Sequence, residues 1–124
     1  MKKISFYGRD GCPMCYDAKR WLEQENISYN FRDIFNHPFT KEELIQLGEK
    51  LPNGLFDLFA PKGARKAGLS ENPRDFSSEQ IVEFQENNPD MIRYPAFEVG
   101  NRLIFGFKEP TKLIILAAIK ESGR

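Results

Sequence analysis

The chain has 124 residues, of which 40% are hydrophobic and 29% charged, enough for one domain with a real core and too apolar for a disordered chain. Its 18 basic and 18 acidic side chains cancel, and no basic run exceeds two residues, so no direct nucleic-acid binding is expected. The longest apolar run, Leu113 to Ile119, is far too short to span a bilayer, and the opening Met-Lys-Lys-Ile-Ser-Phe has no apolar signal core.

The expected setting is therefore cytoplasmic and reducing, away from the membrane, with the chain acting as a monomer. In that setting a closely spaced cysteine pair is catalytic or metal-binding more often than structural.

In chain order, Lys3 to Tyr7 alternates as a short strand that Gly8 ends. Pro13 suits the first turn of a helix, where its missing N–H costs nothing. Met14, Ala18, Trp21 and Leu22 then predict one apolar helix face. Ile27 to Arg32 alternates again, completing a β-α-β unit.

The middle reads differently. Thr40-Lys-Glu-Glu43 and Ser77-Ser-Glu-Gln80 are capping boxes. The first opens a helix with Leu44, Leu47 and Leu51 inward. The second opens one with Ile81, Val82 and Phe84 inward that stops before Pro89. Leu55 to Leu69 predicts irregular or helical structure with Phe56 and Phe59 to bury. Residues 37–89 are thus expected as a helical insertion within a single domain spanning 1–124.

The end returns to strands. Ala96 to Val99 and Arg102 to Phe105 flank Gly100-Asn101, a two-residue hairpin loop. Pro110 opens a last helix carrying Leu113, Ile114, Leu116, Ala117 and Ile119, a breadth that predicts packing on a sheet. The order is β-α-β, helical insert, β-β-α.

Both cysteines lie in Asp10-Gly-Cys-Pro-Met-Cys-Tyr, as Cys12 and Cys15. A tetrahedral zinc site needs four ligands, and His37 is the single histidine, so no metal site is expected. A structural disulfide stabilises by closing a long loop, and two intervening residues close almost nothing. The remaining reading is redox exchange, since C-x-x-C at a strand-to-helix junction in a β-α-β unit is a dithiol signature. Cys12 precedes the helix, where free N–H groups and the helix dipole favour thiolate. Thiolate is the attacking species in exchange, and Cys15, one turn on, can release the product. Tyr94-Pro95 immediately precedes a strand, a position where proline is tolerated and a cis bond is open to it.

The element order, "GCPMC" and "RYPAFEVGNRLIFGF" resemble the thioredoxin superfamily, and within it the ArsC/Spx-like proteins, which have a glutaredoxin-like core and a helical insertion. The resemblance covers essentially the whole chain, including "LFAPKGARKAGL" in the insert. It implies a thioredoxin-like α/β fold with a mixed four-stranded sheet, Cys12 as nucleophile, Cys15 as resolving thiol and Pro95 as a cis proline. Tyr94, Arg93 and Pro13 are the expected substrate-contacting residues.

The departures shape the functional expectation. ArsC-type arsenate reductases typically carry one cysteine here with a serine three residues on, and this chain has Cys15 there. The arginine the family places before the cis proline is replaced by Tyr94, with Arg93 displaced by one. An arsenate dianion needs several fixed cationic donors. Arg65, Lys62, Arg102 and Lys108 are the candidates to supply them. The expected function is a thiol–disulfide oxidoreductase acting on protein or small-molecule disulfides. No bound cofactor is expected, and glutathione or another thiol is the expected electron donor. The alternatives are an Spx-like redox regulator of RNA polymerase and an arsenate-reductase-like protein.

Overall fold

The computed structural model describes residues 4–60 and 77–122; much of "LFAPKGARKAGL", with Lys62 and Arg65, lies outside them. The chain divides into two compact units, Met1–Ile34 with Tyr94–Arg124, and Phe35–Arg93.

The first unit holds strand β1 (Ile4–Gly8), helix α1 (Pro13–Gln24) and strand β2 (Tyr29–Asp33), followed by β3 (Ala96–Val99), β4 (Arg102–Phe105) and a last helix, Glu109–Ser122. The sheet order is β2-β1-β3-β4. β1 runs parallel to β2 and antiparallel to β3, and β3 pairs with β4 through the expected hairpin. Gly100 takes φ +60° in that loop, a conformation glycine adopts without a Cβ penalty. The sheet is therefore mixed, as expected.

Alternation decides which strand residues meet the helices. Ile4 and Phe6 of β1 and Phe97 and Val99 of β3 share one core with Ala18 and Leu22 of α1 and Ile115 and Ala118 of the last helix. Phe6 stacks on Phe97 at 4.8 Å between ring centroids and meets Phe31 edge-on at 5.1 Å.

Two helix faces are rotated from the expectation. Met14 is exposed, and the buried line of α1 is Cys15, Ala18 and Leu22, with Trp21 half-buried. In the last helix, Thr111, Ile115 and Ala118 are buried while Leu113, Ile114 and Leu116 are exposed. The apolar run is wider than the face the sheet covers.

The second unit contains α2 (Lys41–Gly48), a 3-10 turn (Gly54–Leu58), α3 (Ser78–Asn87) and a short 3-10 turn (Pro89–Met91). Both capping boxes form as expected. Leu44, Leu47, Leu58, Ile81 and Val82 are buried. α3 turns Gln85, not Phe84, inward, and its Nε2 donates to the Leu55 carbonyl at 2.8 Å. α2 stops at Gly48, where a Cβ would meet Leu55 at 2.9 Å, so Leu51 falls beyond the helix.

Candidate active site

Cys12 is the N-cap of α1, with φ −83° and ψ 117°. Its sulfur accepts the Cys15 N–H at 3.4 Å, and its carbonyl accepts the Tyr16 N–H at 3.1 Å. Pro13 occupies the first helical turn and is exposed. The loop before it turns at Gly11, φ +84°, with open space where a Cβ would stand. Two bonds tie this loop down. The Cys12 N–H donates to the Arg9 carbonyl at 3.3 Å, and the Asp10 N–H donates to Oδ2 of the buried Asp33 at 3.0 Å. Cys12 is half-buried, and neither cysteine is in a disulfide.

Cys15 sits one turn deeper, 2% exposed. Its Sγ packs against Gly8, where a Cβ would come within 2.7 Å of the sulfur and 3.1 Å of Phe31 Cε1. Glycine at the end of β1 is thus what lets α1 approach the strand closely enough to seat this thiol. Burial pushes the Cys15 thiol up to about 12. A hydrogen bond from the Arg9 backbone works against that shift. The hydrogen bond to Cys12 and the proximity of its charge add to the shift, and the Lys19 charge opposes it. Lys19 itself lies with Nζ 3.7 Å from the centre of the Phe31 ring.

The Tyr94–Pro95 bond is cis. Tyr7 pairs with Ala96 in the β1/β3 register, so Pro95 continues that register toward Gly8 at the end of the sheet that carries the Cys12 loop. Pro95 is fully buried, and its carbonyl accepts the Gly106 N–H at 2.9 Å. Tyr94 is half-buried and packs, like Cys12, on the core that contains Cys15. Arg93 belongs to the second unit, exposed, with Nη1 3.5 Å from the Asp57 carbonyl and its N–H on the Leu58 carbonyl at 2.8 Å.

Three contributors to this site were not singled out from the sequence. Gly8 was legible only as a strand end. Asp33 fell one residue past the expected second strand. Lys19 carried a signal in its spacing, four residues after Cys15 on the same helix.

Residues 4–53 match the family model "Glutaredoxin". Over 119 residues the chain is 24% identical to the regulatory protein MgsR of Bacillus subtilis, covering 96% of this chain and 94% of that protein. It is 26% identical over 106 residues to the global transcriptional regulator Spx of Streptococcus agalactiae, covering 86% and 77%. An ArsC-family-related protein from Bacteroides fragilis superposes with a TM-score of 0.71 at 26% identity, covering 92% of this chain and 98% of that one. Sheet order, the cysteine pair at the head of α1 and these likenesses together support a thioredoxin-superfamily protein similar to the ArsC/Spx-like, glutaredoxin-like proteins.

Proposed function

We propose that the protein is a thiol–disulfide oxidoreductase in which Cys12 attacks and Cys15 resolves. The observation that carries this reading is the arrangement of the two sulfurs. One is half-buried at the head of α1 and receives a backbone N–H, and the other is buried one turn behind it.

The steps balance without a cofactor. Cys12 thiolate attacks one sulfur of a substrate disulfide, forming a mixed disulfide and releasing one substrate thiolate, which takes up a proton. Cys15 then loses its proton to solvent and attacks Cys12. The Cys12–Cys15 disulfide forms, and the second substrate thiol leaves with the pair of electrons. A thiol reductant such as glutathione restores the dithiol. Pro13 and Tyr94 are assigned to substrate contact beside Cys12, and the setting proposed is the reducing cytoplasm.

A second reading uses the same exchange as a signal instead of a turnover. It is favoured by the near full-length likeness to MgsR, a regulatory protein, and by that to Spx, a transcriptional regulator. The arsenate-reductase-like alternative draws only on the family of the structural neighbours.

The test is covalent trapping. Cys15→Ser leaves Cys12 able to attack while removing the internal resolving thiol. It is expected to accumulate complexes with protein substrates on non-reducing gels, lost on adding dithiothreitol. Equal trapping by Cys12→Ser, or none by either variant, would overturn the assignment. Catalytic turnover of disulfides by the purified wild-type protein supports the enzyme. Oxidation that is stoichiometric, without turnover, supports the regulator.

A further inference from the structure

We infer that Lys19 is a positioning residue for the resolving thiol: its ammonium, seated on the face of the Phe31 ring beside Cys15, steadies the negative charge Cys15 carries as it attacks the mixed disulfide. This rests on the dithiol reading above and adds a role for a residue outside the C-x-x-C motif.

Three independent placements bring Lys19 to that sulfur. Residues four apart on a helix are neighbours on its surface, and Lys19 follows Cys15 by four within α1. The ammonium is held in place from the other side. Nζ stands 3.7 Å from the centre of the Phe31 ring and 5.8 Å from that of Tyr16, within the range of a cation over an aromatic face. Phe31 is in turn tied to the sulfur through Gly8. A Cβ there would be 2.7 Å from Cys15 Sγ and 3.1 Å from Phe31 Cε1, so sulfur and ring edge are no farther apart than those two distances together. The helix, the ring and the glycine close one cluster.

The chemistry gives the charge a task. In the resting dithiol Cys15 keeps its proton, because burial disfavours the thiolate. Once Cys12 is in a mixed disulfide, Cys15 has to become the nucleophile, and its charge appears at a site 2% exposed. Three groups act on its charge. Cys12 stands across the first turn, the Arg9 backbone reaches it from the loop after β1, and Lys19 comes from its own helix. Asp33 ends β2 with its carboxylate on the Asp10 N–H, and Tyr94 packs on the same core ahead of β3. Of the influences that favour the charged sulfur, the Arg9 group is backbone and Lys19 is the side chain. Cys12, by contrast, is half-buried at the head of the helix, so its attack does not place a charge at a fully buried site.

The two steps separate in one experiment with 4,4′-dithiodipyridine, a neutral disulfide whose thiopyridone product absorbs strongly in the near ultraviolet. Attack by Cys12 releases the first equivalent at a rate that depends on reagent concentration. Resolution by Cys15 releases the second at a rate that does not. Lys19→Met is expected to slow the second phase about three- to tenfold and to move its pH profile upward. The first phase should change by less than about twofold. Lys19→Arg, which keeps the cation, should restore most of the second phase. Phe31→Leu, which keeps Lys19 but removes its seat, should slow the same phase to a lesser degree.

An unchanged second phase in Lys19→Met overturns the inference, and so does a Lys19→Arg protein as slow as Lys19→Met, which would mark a packing role. In either case a wild-type second equivalent leaves the dithiol reading standing. If wild-type protein releases only one equivalent, Cys15 does not resolve, and both readings fall together.

Discussion

Cys15 and Tyr7 hold their protons for the same leading reason, and the consequence is measurable as stability. Burial pushes the Cys15 thiol up to about 12. Burial also raises the Tyr7 hydroxyl, helped by its 2.6 Å hydrogen bond to Glu98 Oε1 and by that carboxylate's charge. In the unfolded chain a cysteine loses its proton near about 8.5 and a tyrosine near about 10. Below those values both groups are protonated folded and unfolded, so stability does not depend on them. Above them the unfolded chain has released protons that the folded chain still binds, and stability falls as pH rises. Each group contributes a slope of about 1.4 kcal/mol per pH unit until its folded-state value is reached. Urea midpoints are expected to be level between pH 7 and 8 and to drop from about pH 9 upward. Cys15→Ala should flatten the first part of the drop, and Tyr7→Phe the part above about pH 10. A midpoint that holds to pH 10.5, or an unaltered slope in Cys15→Ala, would show that these protons are not held by the fold.

At the scale of elements, the ends of helices were more legible than their faces. Both capping boxes were readable because cap chemistry is local: Thr40 and Glu43 exchange bonds of 3.2 and 2.9 Å across three residues, and Ser77 and Gln80 do the same. The hairpin at Gly100-Asn101 and the head of α1 at Pro13 were readable for the same reason. The cysteine pair, too, was readable from its spacing and its place at the head of a helix. Faces depend on what lies opposite, which the sequence does not state. Met14 and Leu113 are apolar at helical spacing, yet the sheet covers only the line through Ala18 or through Ile115. Gln85 carries no inward signal because it is polar, although a backbone carbonyl at Leu55 gives its amide a partner. Gly8 and Asp33 stayed invisible because their work is done through contacts with Cys15 and Asp10, distant or unlinked in sequence pattern.

One further helix end is set by an asparagine in the left-handed region. α1 closes with a Schellman motif, in which the Ile27 N–H reaches the Leu22 carbonyl at 2.9 Å and the Asn26 N–H reaches Glu23 at 3.1 Å. Asn26 sits at φ 57° to allow it, and Ile27 and Leu22 meet in the core. This turn sets the entry to β2. Asn26→Gly should raise stability by about 0.5–1 kcal/mol, whereas Asn26→Val should lower it by about 1–2 kcal/mol. Thermal or urea unfolding checks both, and a Val variant as stable as wild type would mean that the left-handed residue is not needed.

At the scale of the molecule, the two units differ in what holds them, and this predicts the order in which they open. In the first, β1 is hydrogen-bonded on both edges, and Phe6, Phe97, Leu22 and Ile115 are fully buried against one another. Amides there exchange only when most of that core is lost. The described part of the second unit rests on helices of 8 and 10 residues, lengths at which a helix depends on its packing. Its strand pairing among the described residues is a bridge between Phe59 and Ile92. It also buries Gln85 Oε1 with no hydrogen-bond partner among the described residues, a condition that costs about 1–3 kcal/mol. Native-state hydrogen exchange should therefore find the slowest amides at Phe6 and Phe97, with those of α2 and α3 exchanging through an opening of lower free energy and weaker urea dependence. Both cysteines belong to the unit expected to open last. In mild urea that already exposes α2 and α3, the two phases of thiopyridone release should thus persist. If the α2 and α3 amides exchange as slowly as Phe6, with the same urea dependence, the chain opens as one cooperative body and the second unit is as firmly held as the first.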